Sequence, residues 1–516
     1  MAGKWKEDPL TIEDKLKAAL VPEAEQPYPI PENWIWTKLH SVVSINPSKK
    51  RIDDVDPNAA VTFVPMAAVD DISGEITAAL QRPLIEVKTG YTQFIEGDVI
   101  FAKITPCMEN GKAAIVKETI NGIAYGSTEF YVLRPLGIDA SLLYFFVRAQ
   151  SFRNEAKQVM SGAVGQQRVP KAWLEQHPIP LPPLTEQQRI AEKLESLLGK
   201  MQEAKALLDE IPEILRNFRQ SVLAAACLGR LTEDWRKEHR NVESAAELVH
   251  KIYSNKLNDE TLPKDFLLQD DEGALPGKWI RVRLGSLSQL ITKGASPKWQ
   301  GFNYVDDGTL FITSENVGNG RLLLESRKHV ENDFNRVQKR SILQKGDLLT
   351  NIVGASIGRS AIFDLDENAN INQAVAVIRA YPEIISKYIL IALNSPSTID
   401  FMHKEKVDVA RANLSLQDVS NFPINLPPTA EQFEIVRRIE SLFRKADDLE
   451  AQYKEAMELI ESLPEIILSK AFRGELVPQD PNDEPASVLL ERISAAKEKA
   501  IVTGKQTRGK KAIRSL

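Results

Sequence analysis

Two stretches of the chain carry a sustained heptad pattern of apolar residues. Residues 181–231 and residues 426–476 each open with a proline pair and an acidic turn, after which apolar side chains recur at alternating steps of four and three residues. We predict that these side chains form the seam of two long helices, and the seam residues are Ile190, Leu194, Leu197, Met201, Leu208, Ile211, Leu215, Ile435, Ile439, Leu442, Leu449, Tyr453 and Ile460. A seam this long calls for a partner helix, and each stretch is a candidate partner for the other.

Each predicted helix contains a proline. Pro212 lies in the first stretch and Pro464 in the second. A proline inside a helix removes one backbone hydrogen bond and costs about 3 kcal/mol. Because the heptad phase continues past both prolines, we favour a kink in each helix, and a helix–turn–helix break near Glu210 is the alternative.

The two stretches belong to an internal repeat with an offset of 245 residues. Ile190 and Ile435 are 245 residues apart, and so are the starts of Asn33–Leu39 (NWIWTKL) and Lys278–Leu284 (KWIRVRL). The same offset therefore links the beginning of a globular segment to the helix that follows it. This pattern predicts a tandem duplication in which each copy is a mixed domain followed by a long helix.

The globular segments combine strand and helix signals, which predicts an α+β fold. In the first segment, β-rich runs cover Val61–Val64, Val99–Ile104, Ala113–Val116 and Phe130–Leu133, and a helical run follows at Ala140–Arg153. The predicted domains are an N-terminal extension (1–30), a first mixed domain (31–180), a first spacer helix (181–231), a connector (232–277), a second mixed domain (278–425), a second spacer helix (426–476), and a C-terminal helix with a basic tail (477–516). We expect the extension to be partly mobile or docked on another subunit.

Composition narrows the class of protein. The chain has 43% hydrophobic and 26% charged residues, typical of a globular protein, and no apolar run approaches the roughly 20 residues of a membrane span. Two cysteines fit a reducing cytoplasm, and six scattered histidines form no metal-spaced cluster, so we predict no metal site. A net charge of −6 argues against a uniformly basic surface, so any nucleic-acid contact must be local.

Two patterns suggest catalysis, and each has a simpler explanation. Pro106-Cys107 and Glu315-Asn316-Val317 resemble motifs of cytosine-5 methyltransferases, but they lie about 208 residues apart and no glycine-rich loop accompanies them. Asp70 or Asp71 with Glu86-Val87-Lys88 has the spacing of a divalent-metal nuclease site, but the second copy has no equivalent. We expect no catalytic residue in this chain.

Polar and basic residues in the predicted loops are the candidate binding groups. Lysine and arginine neutralise phosphates, while arginine, asparagine and glutamine can contact base edges. The candidate DNA-binding residues are Lys49, Lys50, Arg51, Lys103, Asn110, Lys112, Gln167, Arg168, Lys293, Lys298, Asn351, Arg359, Asn372 and Arg411. Any single cluster of this kind is more often a solvated loop, and it is their recurrence on a duplicated scaffold that favours DNA.

The repeated blocks resemble the conserved regions of the specificity subunits of type I restriction–modification systems. Ile179–Leu194 (IPLPPLTEQQRIAEKL), Ile211–Val222 and Gly229–Trp235 resemble the first conserved region of that family, and Leu426–Gln432 (LPPTAEQ) with Ala471–Leu476 (AFRGEL) resembles the second. The chain departs from many members of the family in its lead-in of about 30 residues.

The resemblance implies an architecture and a set of partners. It implies two target recognition domains separated by two antiparallel coiled-coil helices, with each domain reading one half of a split DNA site. Two modification subunits, which bind S-adenosylmethionine and methylate adenine, would dock on the helices. Two restriction subunits, which use ATP and Mg²⁺, would complete the assembly, and this chain would carry no cofactor. A coiled-coil adaptor with two protein-binding heads is the alternative.

Overall fold

The chain forms two compact units, each built from distant parts of the sequence. The computed structural model describes residues 11–49, 55–163, 165–257, 268, 275–408 and 413–513. Unit 1 comprises Met1–Leu207 with Ala456–Leu516, and unit 2 comprises Leu208–Glu455. Each unit therefore contains one mixed domain together with parts of both long helices.

The elements of the two copies correspond in most of their order along the chain, and the exceptions are the strand Thr92–Phe94 of the first copy and the strand Tyr304–Val305 of the second. Up to residue 209 they are α1 (Ile12–Ala19), β1 (Ile35–Lys38), α2 (Leu39–Val42), β2 (Val43–Ile45), β3 (Ala60–Val64), β4 (Leu80–Pro83), α3 (Leu84–Val87), β5 (Thr92–Phe94), β6 (Val99–Ala102), β7 (Ala113–Ile115), β8 (Ala124–Gly126), β9 (Phe130–Pro135), α4 (Ala140–Arg148), α5 (Gln150–Val159), α6 (Lys171–Gln176), β10 (Pro178–Leu181) and α7 (Leu184–Asp209).

The remaining elements begin with the second half of the first long helix. They are α8 (Ile211–Cys227), α9 (Glu233–Glu238), α10 (Ala245–Leu257), β11 (Ile280–Arg283), β12 (Ser288–Lys293), β13 (Tyr304–Val305), β14 (Thr309–Ile312), β15 (His329–Val330), α11 (Phe334–Val337), β16 (Leu348–Asn351), β17 (Ser360–Ile362), β18 (Ala369–Ile371), β19 (Val375–Ala380), α12 (Ser386–Leu393), α13 (Pro396–Asp408), α14 (Leu416–Ser420), β20 (Pro423–Leu426), α15 (Thr429–Phe472) and α16 (Ala486–Ile513). Across the described residues, no helix is long and apolar enough to cross a membrane.

The sheets confirm the predicted repeat. Unit 1 holds two four-stranded sheets, ordered β2-β9-β6-β7 and β4-β3-β8-β5, and unit 2 holds β12-β19-β16-β17 and β13-β15-β14-β18. A two-stranded antiparallel pair also occurs in each unit, and its register is the same, since Trp36 faces Pro180 and Arg281 faces Asn425. The mixed α+β fold of both domains is thus as the sequence predicts.

Strand β6 shows why these short apolar runs become central strands. Val99 and Phe101 pack into one hydrophobic cluster, whereas Ile100 and Ala102 pack into another. Successive side chains of a strand point to opposite faces, so a run of four buried residues requires a sheet covered on both sides. Strand β16 of unit 2 divides in the same way, with Leu348 and Leu349 in different clusters.

The turn before each central strand is fixed by a buried ion pair. Asp98 is 1% exposed and accepts two hydrogen bonds from the Arg134 guanidinium, at 2.7 and 2.9 Å. Asp347 and Arg379 form the same pair in unit 2, with both distances at 2.7 Å. Two parallel hydrogen bonds fix the relative orientation of the two side chains in addition to pairing their charges.

The long helices differ at their prolines. The helix α15 runs through Pro464 without interruption, whereas the first helix is divided at Glu210, whose backbone keeps right-handed helical angles (φ −81°, ψ −23°).

In unit 2, α8 and the first part of α15 run antiparallel. Arg219 of α8 donates hydrogen bonds to Asp447 and Glu450, whereas the carbonyl of Leu231, later in the chain, accepts one from Arg438, which is earlier in α15.

The seam residues are covered to different degrees. Ile190, Leu194, Leu215, Ile435 and Ile439 are buried, and Leu197, Met201, Leu208, Ile211, Leu442, Tyr453 and Ile460 are half-buried. Leu449 departs from the predicted seam, since 53% of it is exposed. Ala446, three residues earlier, is buried and occupies the inner face at this turn. An α-helix drifts by about 20° per heptad relative to a strict seven-residue repeat, which turns one position of the pattern toward solvent.

Residues 11–30 of the N-terminal extension pack within unit 1, and the expectation that the extension is partly mobile or docked on another subunit remains a prediction. Helix α1 packs on α16 and forms an ion pair between Lys15 and Glu498. The Thr37 hydroxyl donates a hydrogen bond to the Ala19 carbonyl at 2.9 Å, which ties the end of α1 to strand β1. The segment completes the core of its own domain, and residues 1–10 lie outside the described residues.

In each unit, a glycine from one copy of the repeat packs closely against a proline and a tryptophan from the other copy. In unit 1, Gly474 (φ +75°) lies so close to Pro31 that an added Cβ would be 2.4 Å from its Cγ, and 3.3 Å from the Trp34 ring. In unit 2, Gly229 (φ +71°) has the same relation to Pro276, at 2.5 Å, and to the Trp279 ring, at 3.3 Å. The left-handed backbone and the close approach both require glycine at these two positions.

Candidate DNA-binding surface

In unit 2, several loops meet at one end of the central sheets. A Cβ added to Gly294, just after β12, would lie 1.8 Å from the carbonyl oxygen of Ile371, at the end of β18. The Ile352 amide donates to the Ala374 carbonyl at 2.9 Å, and the Leu414 amide donates to the Ile352 carbonyl at 2.9 Å. Segments that are distant in sequence thus form one continuous loop surface.

Unit 1 builds the same surface with the same backbone contacts. The Lys103 amide donates to the Glu129 carbonyl at 2.9 Å, and the Val169 amide donates to the Lys103 carbonyl at 2.9 Å. Glu129 and Ala374 are 245 residues apart, and so are Val169 and Leu414. The two units therefore present different side chains on one framework.

The predicted cations of unit 1 are largely engaged within the protein. Lys103 Nζ donates to the Thr128 carbonyl at 2.7 Å, Lys49 Nζ donates to the Lys88 carbonyl at 2.7 Å, and Lys112 Nζ donates to the Val69 carbonyl at 2.8 Å. These bonds hold loops to one another. The three ammonium groups are thus positioning groups in this structure, with part of their donor capacity left for a ligand.

Arg168 is paired with an acid that sequence reasoning missed. Its guanidinium donates two hydrogen bonds to Glu129, both at 2.9 Å, and this pairing lowers the pKa of Glu129. The two residues are 39 positions apart, so no local pattern in the sequence brings them together.

The other predicted residues of unit 1 differ in exposure. Gln167 is half-buried, and its backbone amide donates to Thr105 Oγ1 at 3.2 Å. Asn110 is exposed, and Lys50 and Arg51 lie outside the described residues.

Unit 2 presents freer cations. Lys293, Lys298 and Arg359 are exposed, and none of them makes a side-chain hydrogen bond or ion pair with the part of the chain that the structure describes. Asn372 is half-buried and accepts a hydrogen bond from the Ala374 amide at 3.1 Å. Arg411 lies outside the described residues.

Asn351 is not a surface residue, and its assignment to the DNA-binding set is wrong. It is fully buried at the end of β16, where its side-chain amide donates to the Ser314 carbonyl at 2.9 Å. The bond ties the loop that follows β14 to the end of β16. A polar residue after a strand is as suited to bracing loops as to reading bases, and burial decides between the two roles.

The patterns that resemble catalytic motifs have structural roles or are divided between the two units. Asp70 Oδ1 caps a turn by accepting hydrogen bonds from the amides of Ile72 and Ser73, at 3.0 and 2.6 Å, and these bonds lower the Asp70 pKa. Cys107 belongs to unit 1 and Glu315 to unit 2, where Glu315 pairs with Lys328. No group of three or more metal-binding side chains occurs among the described residues.

Comparisons with known proteins point to one family. The family model described as the type I restriction modification DNA specificity domain matches the chain twice, at residues 31–213 and 276–459. The chain is 35% identical to the EcoBI type I specificity subunit of Escherichia coli over 64% of this chain and 67% of that one. It is 32% identical to the EcoKI specificity subunit of Escherichia coli K12, over 74% of this chain and 76% of that one. The crystal structure of the HsdS subunit from Thermoanaerobacter tengcongensis has a similar fold, with a TM-score of 0.60, 22% identity, and coverage of 87% of this chain and 99% of that one.

Proposed function

The chain belongs to the type I restriction–modification DNA specificity family, and from that premise we propose that it is the DNA-reading subunit of such a system, with each mixed domain reading one half of a bipartite target. The observation that carries this function is the double family match, once over each copy of the repeat. The loop framework built twice from equivalent backbone contacts supports it, because it offers two reading surfaces on one chain.

The target is asymmetric. The two frameworks share their backbone bonds, but unit 1 places Arg168 where unit 2 places the exposed Asn413. Different side chains on equivalent loops select different bases, since base identity is read by hydrogen bonds to the groove edges. The lysines and arginines neutralise phosphates and fix the register, and asparagine and glutamine supply contacts to bases.

The long helices dock two modification subunits. Ile214 on α8 and Leu459 on α15 are each 58% exposed and are 245 residues apart, so they occupy equivalent positions of the repeat. Phe218, four residues after Ile214 on the same face of α8, is 38% exposed. Exposed apolar side chains at repeated positions suit a partner that binds twice in the same way.

The chemistry of the system resides on the partner subunits. Two modification subunits bind S-adenosylmethionine and methylate adenine, and two restriction subunits use ATP and Mg²⁺ for translocation and cleavage. The specificity chain contributes sequence recognition and assembly, without a cofactor of its own. The assembly works in the cytoplasm, where its DNA is found.

Methylome sequencing of cells that carry the complete system, with and without the gene for this chain, tests the proposal. We expect adenine methylation at a motif of two short defined sequences separated by a gap of fixed length and free base composition. The motif should vanish when the chain is absent. A continuous motif, or methylation that persists without the chain, would overturn the proposal.

A further inference from the structure

One indole in unit 2 stands almost entirely in solvent. Trp299 is 85% exposed, whereas Trp34, Trp36 and Trp279 are each between 4% and 6% exposed. Trp299 lies in the loop between β12 and β13, on a single 3-10 turn formed by Lys298–Gln300. Trp299 is the most exposed of the large apolar side chains in the part of the chain that the structure describes.

The residues before and after Trp299 fix the conformation of its loop. The Pro297 carbonyl accepts hydrogen bonds from the amides of Gln300, at 2.9 Å, and Phe302, at 3.0 Å. The Phe302 ring packs edge-on against Phe334, with ring centroids 5.5 Å apart. Since the turn is bonded and its exit is anchored in a hydrophobic cluster, the indole is presented outward on a fixed support.

The loop that carries Trp299 also carries Lys298, follows Lys293 directly, and adjoins the candidate DNA-binding surface. Lys298 and Lys293 are exposed and lack a side-chain hydrogen bond or ion pair with the described residues. Gly294, in the same loop, packs directly on the backbone of Ile371 and Asn372. An exposed aromatic face on the same loop segment as two exposed lysines matches a ligand that has both phosphates and flat apolar rings.

We propose that Trp299 stacks on a base of the target DNA at the half-site read by unit 2, while Lys293 and Lys298 bind the neighbouring phosphates. This inference rests on the proposed function, because it takes the bipartite DNA as the ligand. Stacking uses the face of a base and not its hydrogen-bonding edge, so Trp299 supplies affinity that depends on opening or kinking the duplex at that point. Covering the exposed indole with a base also removes its apolar surface from water, which favours the bound state.

The experiment measures DNA binding by the full complex of this chain with its modification subunits, using a duplex that carries the motif found by methylome sequencing. The variants are Trp299→Ala, Trp299→Phe and Lys298→Ala, and the dissociation constant is measured at several salt concentrations. We expect Trp299→Ala to weaken binding by about 5- to 150-fold, the range of one lost stacking contact, with an unchanged salt slope. Trp299→Phe should retain most of the affinity, and Lys298→Ala should reduce the salt slope by about 0.9.

Three readouts distinguish base stacking by Trp299 from a contact with protein and from a failure of the proposed function. Wild-type affinity in Trp299→Ala overturns the inference. Loss of affinity together with loss of bound modification subunits, measured by native mass spectrometry, also overturns it, because the indole would then contact protein. A wild-type complex without sequence preference would instead refute the proposed function itself. An unchanged thermal unfolding midpoint for Trp299→Ala is the expected result for folding, since the side chain is 85% exposed.

Discussion

The Trp34 indole donates a hydrogen bond to the carboxylate of Glu186 at 2.8 Å, and both side chains are buried. Trp34 precedes the first strand of the mixed domain, and Glu186 lies in the first turn of the long helix. The Trp279 indole donates to Glu431 in unit 2, also at 2.8 Å. Each domain is thus fastened to its helix by the same bond, which gives a physical reason for the repeated Glu-Gln after the proline pair.

Breaking this bond should destabilise unit 1. In Glu186→Ala the buried indole N–H of Trp34 loses its acceptor, which we expect to lower the free energy of unfolding by about 1–3 kcal/mol. Burial raises the pKa of Glu186, so Glu186→Gln, a neutral side chain that keeps an acceptor oxygen, should cost clearly less. Chemical denaturation followed by circular dichroism compares the two. Equal losses in both variants would show that the hydrogen bond is not the stabilising element.

The stability of unit 1 should decrease in mild acid through His177. Burial among Phe146, Phe152 and Trp173 lowers the pKa of His177 to about 4. Between about pH 6.5 and pH 4 the unfolded chain binds a proton at this residue and the folded chain does not, so the free energy of unfolding falls as the pH falls, by about 3 kcal/mol.

His177→Phe keeps a ring in the cluster and removes the titration. Denaturation curves measured from pH 7 to pH 4 should therefore show a steeper loss of stability for the wild-type chain than for the variant. Parallel pH profiles would contradict the assignment.

Removing a basic side chain that has no hydrogen bond or ion pair with the described residues should weaken DNA binding more than removing one that already bonds a loop. Arg359 is exposed at the end of the loop after β16, and its replacement by alanine should weaken binding and lower the salt slope by about 0.9. Lys345 lies at the opposite end of β16 and pairs with Asp366, so Lys345→Ala should leave both quantities unchanged. Lys103→Ala should weaken binding with a smaller change in slope than Arg359→Ala, because Lys103 already donates to Thr128. An Arg359→Ala complex with wild-type affinity and slope would remove Arg359 from the interface.

The equivalent exposed positions on the helices should each hold one modification subunit. Ile214→Glu places a charge in one proposed contact, and native mass spectrometry should then detect complexes with one modification subunit in place of two. The double variant Ile214→Glu with Leu459→Glu should bind neither. Ile72→Glu is the control, since Ile72 is 81% exposed in a loop of the mixed domain. Full assembly by the double variant would refute this docking surface.

The repeat and the α+β domains could be predicted from the sequence because both produce periodic patterns of residues along the chain. The offset of 245 residues relates the two copies, and the apolar run Val99–Ile104 contains the central strand β6 (Val99–Ala102), which is buried on both faces. The individual binding residues are harder to predict from the sequence. Asn351 has the composition of a base-reading residue, yet it braces a loop from inside the fold. Its role, and the pairing of Arg168 with Glu129, depend on contacts between loops that lie far apart in the sequence.

Exchange of one mixed domain is the most direct test that each domain reads its own half of the target. Residues 278–425 are replaced by the corresponding segment of the EcoKI relative, and the methylome of cells that carry the chimera with the modification subunits is sequenced. We predict that one half of the methylated motif changes while the other half and the gap length stay as in the wild type. A motif that changes in both halves, or in neither, would contradict the account.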